Sequence, residues 1–313
     1  MINVDHINTA AQTIDPVFRN SPQFRSEGLS EKLGLNLIHK IESANPIGSF
    51  KGRGVDWWFS QNPQHTSVVC ASAGNFGQAV AYVGRRLGVT VEVFASENAN
   101  PVKIAAMRRF GATVTQTGAD FDEAKIAAAA YAEENGLFYL LDGLVPEIGE
   151  GAGTLMVELA HYPTKIDKFY VPVGNGSLIN GVGTWAKANC SDMQIIGVVA
   201  AAAPAMRLSW EAGEVVNTNT ADTIADGIAV RLPIAESLIP LKDAVDDIIE
   251  VSEAEIITAM RLMFESENLV VETAGAVSLA AIVQNAEQDT GLTVANLVCG
   301  SNIDAAGRAK HLQ

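Results

Sequence analysis

Lys51 stands in the run Asn45-Pro46-Ile47-Gly48-Ser49-Phe50-Lys51-Gly52-Arg53-Gly54, just ahead of the apolar stretch 55–60. A lysine near a helix N-terminus or in an apolar pocket is destabilised as a cation, and its neutral amine is a nucleophile or a base. The plain alternative is a loop lysine that meets only solvent. Three more segments put small and polar residues directly after short apolar runs. They are Cys70-Ala71-Ser72-Ala73-Gly74-Asn75-Phe76-Gly77-Gln78, Val173-Gly174-Asn175-Gly176-Ser177-Leu178 and Val298-Cys299-Gly300-Ser301-Asn302. In open parallel sheets, ligands bind at that position, outside the carboxyl ends of the strands. Gly174 and Gly176 let backbone approach a ligand closely, and a helix that follows them offers free N–H groups at its positive end, which suits a phosphate. No Gly-Lys-Ser/Thr follows, so this is not a Walker A loop, and Ile179 stands where a dinucleotide fingerprint needs its third glycine. The same glycines would also serve a ligand-free β–α turn.

The elements that must carry these segments alternate. Strands are expected at 68–70, 89–95, 112–116, 137–141, 168–173, 194–200 and 294–298. Helices are expected at 76–87, 100–110, 120–134, 154–161, 178–189 and 252–267, the last opened by a Ser252/Glu255 capping box. Such alternation implies parallel β-α-β units with helices on both faces, an α/β protein. A length of 313 residues suggests two domains, with seams expected near Gly52 and at 143–153. The polar stretch 217–241 reads as a long loop, which either serves a site or is a surface excursion.

Composition narrows the function classes. Arginine and lysine number 21 against 36 acids, a net charge of −15, whereas a duplex nucleic-acid binder or an anionic-membrane binder needs a basic face. Nearly half the residues are hydrophobic, which excludes intrinsic disorder. Cys70, Cys190 and Cys299 are odd in number, widely spaced and form no CxxC, which speaks against a disulfide framework or a cysteine zinc site and for a reducing compartment. The N-terminal residues lack a signal-peptide pattern, and no apolar run of about 18 residues occurs. A cytoplasmic protein is therefore expected.

Taken in order, the segments resemble the pyridoxal-phosphate enzymes related to threonine and serine dehydratases, the fold-type II or tryptophan synthase β-like group. Asp15-Pro16-Val17 with Leu29-Ser30-Glu31-Lys32-Leu33-Gly34 resembles the opening of that family, and Lys51 with its flanks resembles the Schiff-base lysine motif. Ser72-Ala73-Gly74-Asn75 is similar to the substrate-carboxylate loop, and Gly174 to Leu178 to the glycine-rich phosphate loop. Asp226-Gly227-Ile228-Ala229-Val230, Glu272-Thr273-Ala274-Gly275-Ala276 and Cys299-Gly300-Ser301-Asn302-Ile303-Asp304 resemble three further family segments. Seven ordered matches cover nearly the whole chain.

The resemblance implies pyridoxal 5'-phosphate as cofactor and assigns roles by position. Lys51 would hold the cofactor as a Schiff base and act as the catalytic base. Phe50 would pack on the pyridine ring, Asn75 would meet the ring hydroxyl, and Cys299 would approach the ring nitrogen. The backbone of Gly174, Asn175, Gly176, Ser177 and Leu178 would hold the phosphate. Ser72, Ala73, Gly74 and Asn75 would clasp the substrate carboxylate at a helix start. The implied fold is two domains, each an open, mostly parallel twisted sheet flanked by helices. Residues 1–51 with 144–313 would form a large cofactor-binding domain, and 52–143 a small substrate-side domain. The implied partners are a small amino-acid substrate and a second copy in a homodimer.

The implied activity is β-elimination from L-threonine or L-serine, since a thiol at the ring nitrogen disfavours transamination. One alternative is a β-replacement or threonine-synthase-like enzyme, for which Arg53, Arg207 and Arg231 could supply a basic cluster. Others are a non-catalytic ligand-binding protein that retains the fold, and a nicotinamide-dependent oxidoreductase resting on residues 174–181. Several positions depart from the family pattern. Asn175 and Ser177 replace glycines, Phe76 replaces a common histidine, and Ile234 replaces the glycine that usually follows Pro233. Ala73 stands where related racemases carry a serine base, which argues against racemisation. The run Gly197-Val198-Val199-Ala200-Ala201 lacks the acids of the family's cation site, so no metal is expected there. The matches end near residue 304, so the extra C-terminal domain of the longer biosynthetic dehydratases is not expected.

Overall fold

Parallel strands that begin and end together place their carboxyl ends along one edge of a sheet, and this chain builds two such edges. The computed structural model describes residues 1–312. Its strands are β1 (Gln23–Arg25), β2 (Asn36–Ile41), β3 (Ser67–Ala71), β4 (Thr90–Ala95), β5 (Thr113–Gln116), β6 (Phe138–Tyr139), β7 (Lys168–Pro172), β8 (Gln194–Ala200), β9 (Asp247–Val251) and β10 (Thr293–Val298). Four of them form a parallel sheet in the order β5-β4-β3-β6. The other six form a sheet in the order β1-β2-β10-β7-β8-β9, in which β1 alone runs antiparallel. β10 lies near the middle of the larger sheet and is buried along its whole length, as a strand covered on both faces must be.

The helices are α1 (Val4–Thr13), α2 (Glu27–Leu33), α3 (Lys51–Gln61), α4 (Asn75–Leu87), α5 (Pro101–Arg109), α6 (Phe121–Glu134), α7 (Pro146–Leu159), α8 (Ser177–Asn189), α9 (Ala205–Ala212), α10 (Ala235–Ala244), α11 (Glu253–Glu267), α12 (Thr273–Gln284) and α13 (Ala305–His311). Each sheet has its own apolar core. Val68, Cys70 and Val93 pack with Trp58 and Phe76 on the smaller sheet, while Leu37, Phe169, Val198 and Leu297 pack with Leu155 and Ile179 on the larger one.

The expected alternation between 68 and 200 is present, with ends moved by one or two residues except at the helix expected from 154, and the capping box at Ser252 is closed in both directions. Two readings of irregular stretches are corrected. The glycines at 149–153 read as a stretch ahead of the helix expected at 154–161, yet Gly149, Gly151 and Gly153 lie inside α7, which starts at Pro146, a residue suited to a first helical turn. A Cβ on Gly151 would stand 2.4 Å from the Arg53 carbonyl oxygen, and one on Gly153 would stand 2.8 Å from that of Gly181. The glycines therefore let α7 lie backbone to backbone on α3 and α8, and packing overrides their poor helix propensity. The stretch 217–241 is a loop only in its first part, since residues from Ala235 onward form α10.

A buried charge network locks α3 in place behind Lys51. The Arg53 guanidinium is 1 % exposed and donates to Glu42 at 2.7 Å and to Glu158 at 2.8 Å. Lys40 Nζ, fully buried on β2, donates to Glu158 at 2.5 Å. Burial alone would raise the Glu158 carboxyl, but the hydrogen bonds and charges of Arg53 and Lys40 bring it down to about 2. The four groups join β2, α3 and α7, so the first turn of α3 cannot shift without stranding a buried charge.

Candidate active site

The residues before Lys51 are fastened to the end of β10. Phe50 N donates to the Cys299 carbonyl at 3.1 Å, Ser301 N donates to the Gly48 carbonyl at 2.9 Å, and Ser49 bridges Gly300. Gly48 takes φ +64°, a conformation that favours glycine. The Lys51 side chain leaves this corner into a cavity of about 330 Å³. Its Nζ stands 4.7 Å from the centre of the Phe50 ring and 5.9 Å from that of Phe76.

All the site residues named from the sequence line this one cavity: Phe50 and Lys51, Ser72 to Asn75, Gly174 to Leu178, and Cys299. The last three groups arrive from the carboxyl ends of β3, β7 and β10, the edges where parallel sheets bind ligands, while Phe50 and Lys51 come from the segment between β2 and α3. Gly176 adopts φ +95°, and a Cβ on Gly174 would come within 3.0 Å of the Gly227 carbonyl oxygen, so this turn demands both glycines. α8 begins directly after it, and the N–H groups of a first helical turn lack intrahelical acceptors. The second helix start at the cavity is that of α4. There the Ser72 hydroxyl accepts from Gly74 N at 3.1 Å and Gly77 N at 2.9 Å, standing in for a side-chain cap.

Other polar groups of the cavity are tied to one another. Asn75 Nδ2 donates to Glu272 Oε1 at 2.6 Å, and Asn75 Oδ1 accepts from Asn302 at 2.8 Å. Each end of that amide keeps one further hydrogen-bonding position. Glu272 is buried, its Oε2 has no partner, and burial pushes its carboxyl up to about 7. Cys299 Sγ donates to the Ala274 carbonyl at 3.4 Å, and burial pushes the thiol well above its ordinary range. Lys103, from α5, pairs with Asp226. Burial alone would lower the Lys103 ammonium, but Asp226, Glu272 and Asp304 nearby raise it.

Asp142 is a cavity residue that the sequence reading missed. Its Oδ2 lies 2.5 Å from Lys51 Nζ, and its Oδ1 accepts from the Ser177 hydroxyl at 2.8 Å. The only signal was an Asp-Gly pair after an expected strand, which reads as any turn. The three arginines considered for a basic cluster do not line the cavity. Arg53 is in the buried network, Arg207 pairs with Glu211 and Glu250, and Arg231 pairs with Asp122 and Asp120.

The family described as "Pyridoxal-phosphate dependent enzyme" matches residues 14–300. The chain belongs to this family. Within it, the chain is 36% identical over 289 residues to an L-threonine ammonia-lyase of Geobacter sulfurreducens, covering 91% of this chain and 72% of that protein. The solved structure of the processed form of threonine deaminase isoform 2 from Solanum lycopersicum superposes with a TM-score of 0.91 at 30% identity, covering 98% of this chain and 92% of that one. The structure of maize serine racemase superposes with a TM-score of 0.92 at 26% identity, covering 99% and 96%. The cavity fits the family's cofactor. It offers an amine for an aldehyde, a glycine-bounded helix start for a phosphate, an aromatic side chain for a ring face, and orphaned Glu272 Oε2 beside Asn75 for a polar ring edge.

Proposed function

We propose that the protein is a pyridoxal-phosphate-dependent ammonia-lyase that dehydrates and deaminates L-threonine or L-serine to a 2-oxo acid and ammonia. The observation that carries this reading is one cavity holding both the Lys51 amine and two helix N-termini, each following a strand end. The similarity to the threonine ammonia-lyase of Geobacter sulfurreducens and to the tomato threonine deaminase supports the substrate class.

When bound, pyridoxal phosphate supplies an aldehyde that condenses with amines and a ring that draws electrons from the substrate Cα. Lys51 Nζ would hold that aldehyde, and its free amine would take the Cα proton. The backbone N–H groups of Gly174, Asn175, Gly176, Ser177 and Leu178 hold the phosphate at the positive end of α8. The α4 start, with Ser72, Ala73, Gly74 and Asn75, binds the substrate carboxylate by the same physics. Phe50 would cover one ring face, and the free positions of the Asn75 amide would meet the ring hydroxyl. Cys299 keeps its proton on sulfur, engaged with the Ala274 carbonyl, so the ring nitrogen receives no proton from it. That moderates the pull on Cα and favours loss of a β-substituent over transamination.

Two features weigh against the neighbouring activities. Ala73 carries no side-chain base for the second face of Cα, which disfavours racemisation. Arg53, Arg207 and Arg231 are neutralised by acids outside the cavity, which leaves them unavailable to a phosphorylated substrate and disfavours a threonine-synthase-like reaction. The separation of the sheets supports a large lobe of residues 1–51 and 144–313 that holds the cofactor, with 52–143 as a small lobe on the substrate side. A homodimer in the cytoplasm completes the proposal, and three free cysteines accord with a reducing compartment.

Absorbance of the purified protein tests the reading. A visible cofactor band that L-threonine or L-serine perturbs, with 2-oxo acid accumulating, is expected for the wild type, and Lys51→Ala should lose the band. A wild-type protein that shows no band after pyridoxal phosphate is supplied would refute it.

A further inference from the structure

Residues 226–231 are tied at both ends to helices that pack on the smaller sheet. Asp226 pairs with Lys103 of α5, and Arg231 pairs with Asp122 of α6, its Nε donating to Asp122 Oδ2 at 2.9 Å. Thr218 N donates to the Arg231 carbonyl at 3.1 Å, which fixes the backbone at that end. Everything between the two ion pairs, Gly227 to Val230, lines the cavity, and so does Phe121, the residue before Asp122. The Arg231–Asp122 pair thus joins two apolar cavity residues, Val230 and Phe121, each one position from a paired charge. Asp122 also holds Lys125 at 2.6 Å, and Lys125 Nζ stands 5.3 Å from the centre of the Phe121 ring, so the ring is braced by its own helix. The two residues differ in depth. Val230 is 8% exposed, whereas Phe121 is 39% exposed, so its ring runs from the cavity out to solvent. Lys103, which also lines the cavity, is neutralised by Asp226 and gives a β-carboxylate no counter-charge.

We propose that Phe121 and Val230 form an apolar wall for the substituent on the substrate's β-carbon, held by Arg231 and Asp122 as positioning residues, and that this wall accepts alkyl chains longer than the methyl of threonine. The inference rests on the ammonia-lyase reading above and extends its substrates to L-β-hydroxy amino acids with a longer β-alkyl group, of which β-hydroxynorvaline is the next member. A wall buried throughout stops a growing chain. One that runs out to solvent gives each added carbon more apolar surface to cover and room to extend. The reaction is the same for each member. The Cα–H and Cβ–O bonds break, a second bond forms between Cα and Cβ, and water leaves. Water then returns as the C–N bond is hydrolysed, so ammonia departs and the 2-oxo acid keeps its alkyl chain.

Two substrate series on the holoenzyme test this. L-serine, L-threonine and L-threo-β-hydroxynorvaline lengthen the β-substituent by one carbon at a time. In the wild type kcat/KM should rise about 10-fold from serine to threonine, the low end for one methyl group in an apolar site, and β-hydroxynorvaline should do at least as well as threonine. In Phe121→Ala the threonine-to-serine ratio should fall by about fivefold, and Phe121→Leu, which stays apolar, should restore part of it. A ratio taken within one variant cancels differences in folding and cofactor loading. Asp122→Arg should lower the ratio as well, and adding Arg231→Asp, which rebuilds the pair with its charges exchanged, should raise it again. L-alanine, L-α-aminobutyrate and L-norvaline lack the hydroxyl and report the wall without elimination. Their affinities, read from the perturbed visible cofactor band, should rise along the series in wild type and stay level in Phe121→Ala. A threonine-to-serine ratio unchanged by Phe121→Ala overturns the proposal, as does a kcat/KM for β-hydroxynorvaline about 10-fold or more below that of threonine. If no hydroxy amino acid yields 2-oxo acid while the affinities still rise, the ammonia-lyase reading is refuted and the wall upheld. Level affinities in the wild type refute the wall.

Discussion

Glu272 is a carboxyl shut away from water, with one oxygen bonded to Asn75 and the other unpartnered. Burial lifts it from 4.5 to about 7, so between those values the folded chain binds a proton that the unfolded chain has lost. Its contribution to stability is therefore greatest below pH 4.5 and declines as the pH rises towards 7. Glu272→Gln removes this dependence, so melting curves of the cofactor-free protein should show the variant gaining on wild type across that window. Two curves that stay parallel with pH would contradict the assignment. The sequence made Lys51 and the glycine turn at 174 legible because their neighbours have distinctive types and spacing. It marked Glu272 as part of a motif but gave no hint of its bond to Asn75, which lies 197 residues away. Asp142 was invisible because an acid beside a glycine after a strand is ordinary turn chemistry.

Among the elements, α7 and α3 position the site by close approach. A methyl group at Gly151 would collide with the Arg53 carbonyl, on the turn that follows Lys51. Gly151→Ala is expected to destabilise the fold by about 1–3 kcal/mol in urea titrations, as overpacking does. It should also weaken cofactor binding through the shift of α3. Arg53→Met should lose more, about 3–5 kcal/mol, because Glu42 and Glu158 would be left with Lys40 as their one shared counter-charge. The same network predicts the acid limit of the fold. Glu158 falls from 4.5 to about 2, so its stabilisation is complete above pH 4.5 and disappears as the pH drops towards 2. Glu158→Gln should flatten that part of the acid-unfolding profile. The helix expected from 154 starts at Pro146 because glycine suggests a turn to local reasoning, whereas here it answers to the backbones of two other helices. β2 was missed for a related reason. Its buried His39 and Lys40 interrupt the apolar pattern, and their partners lie on distant segments.

For the whole molecule, the cavity lies between the two sheets, and polar contacts cross beside it. Lys103 and Asn100, at α5, meet Asp226 and Asp304, while Asp122 of α6 meets Arg231. Arg231 and Asp122 are both partly exposed, and ion pairs that water can screen add little to global stability. Arg231→Ala should therefore hardly move the melting midpoint, yet raise KM for the amino acid and speed hydrogen exchange in α6. Exchange that does not change would show that this contact does not restrain the cavity. Parallel strands were legible from the alternation of elements, and their division into two sheets from the family resemblance. The strand order was not, because parallel neighbours are joined by crossovers that local patterns do not record.

That order has a consequence for synthesis. β2, complete by residue 41, pairs in parallel with β10, which ends at residue 298, and until β10 is made β2 has only β1 beside it. The four strands between residues 67 and 139 can close their own sheet while the larger one waits on the ribosome. Lys51 is fastened through Phe50 to Cys299, so the amine leaves the ribosome early and gains its surroundings near the end of translation. A chain interrupted before β10 would carry the reactive lysine without the pocket that gives it a task.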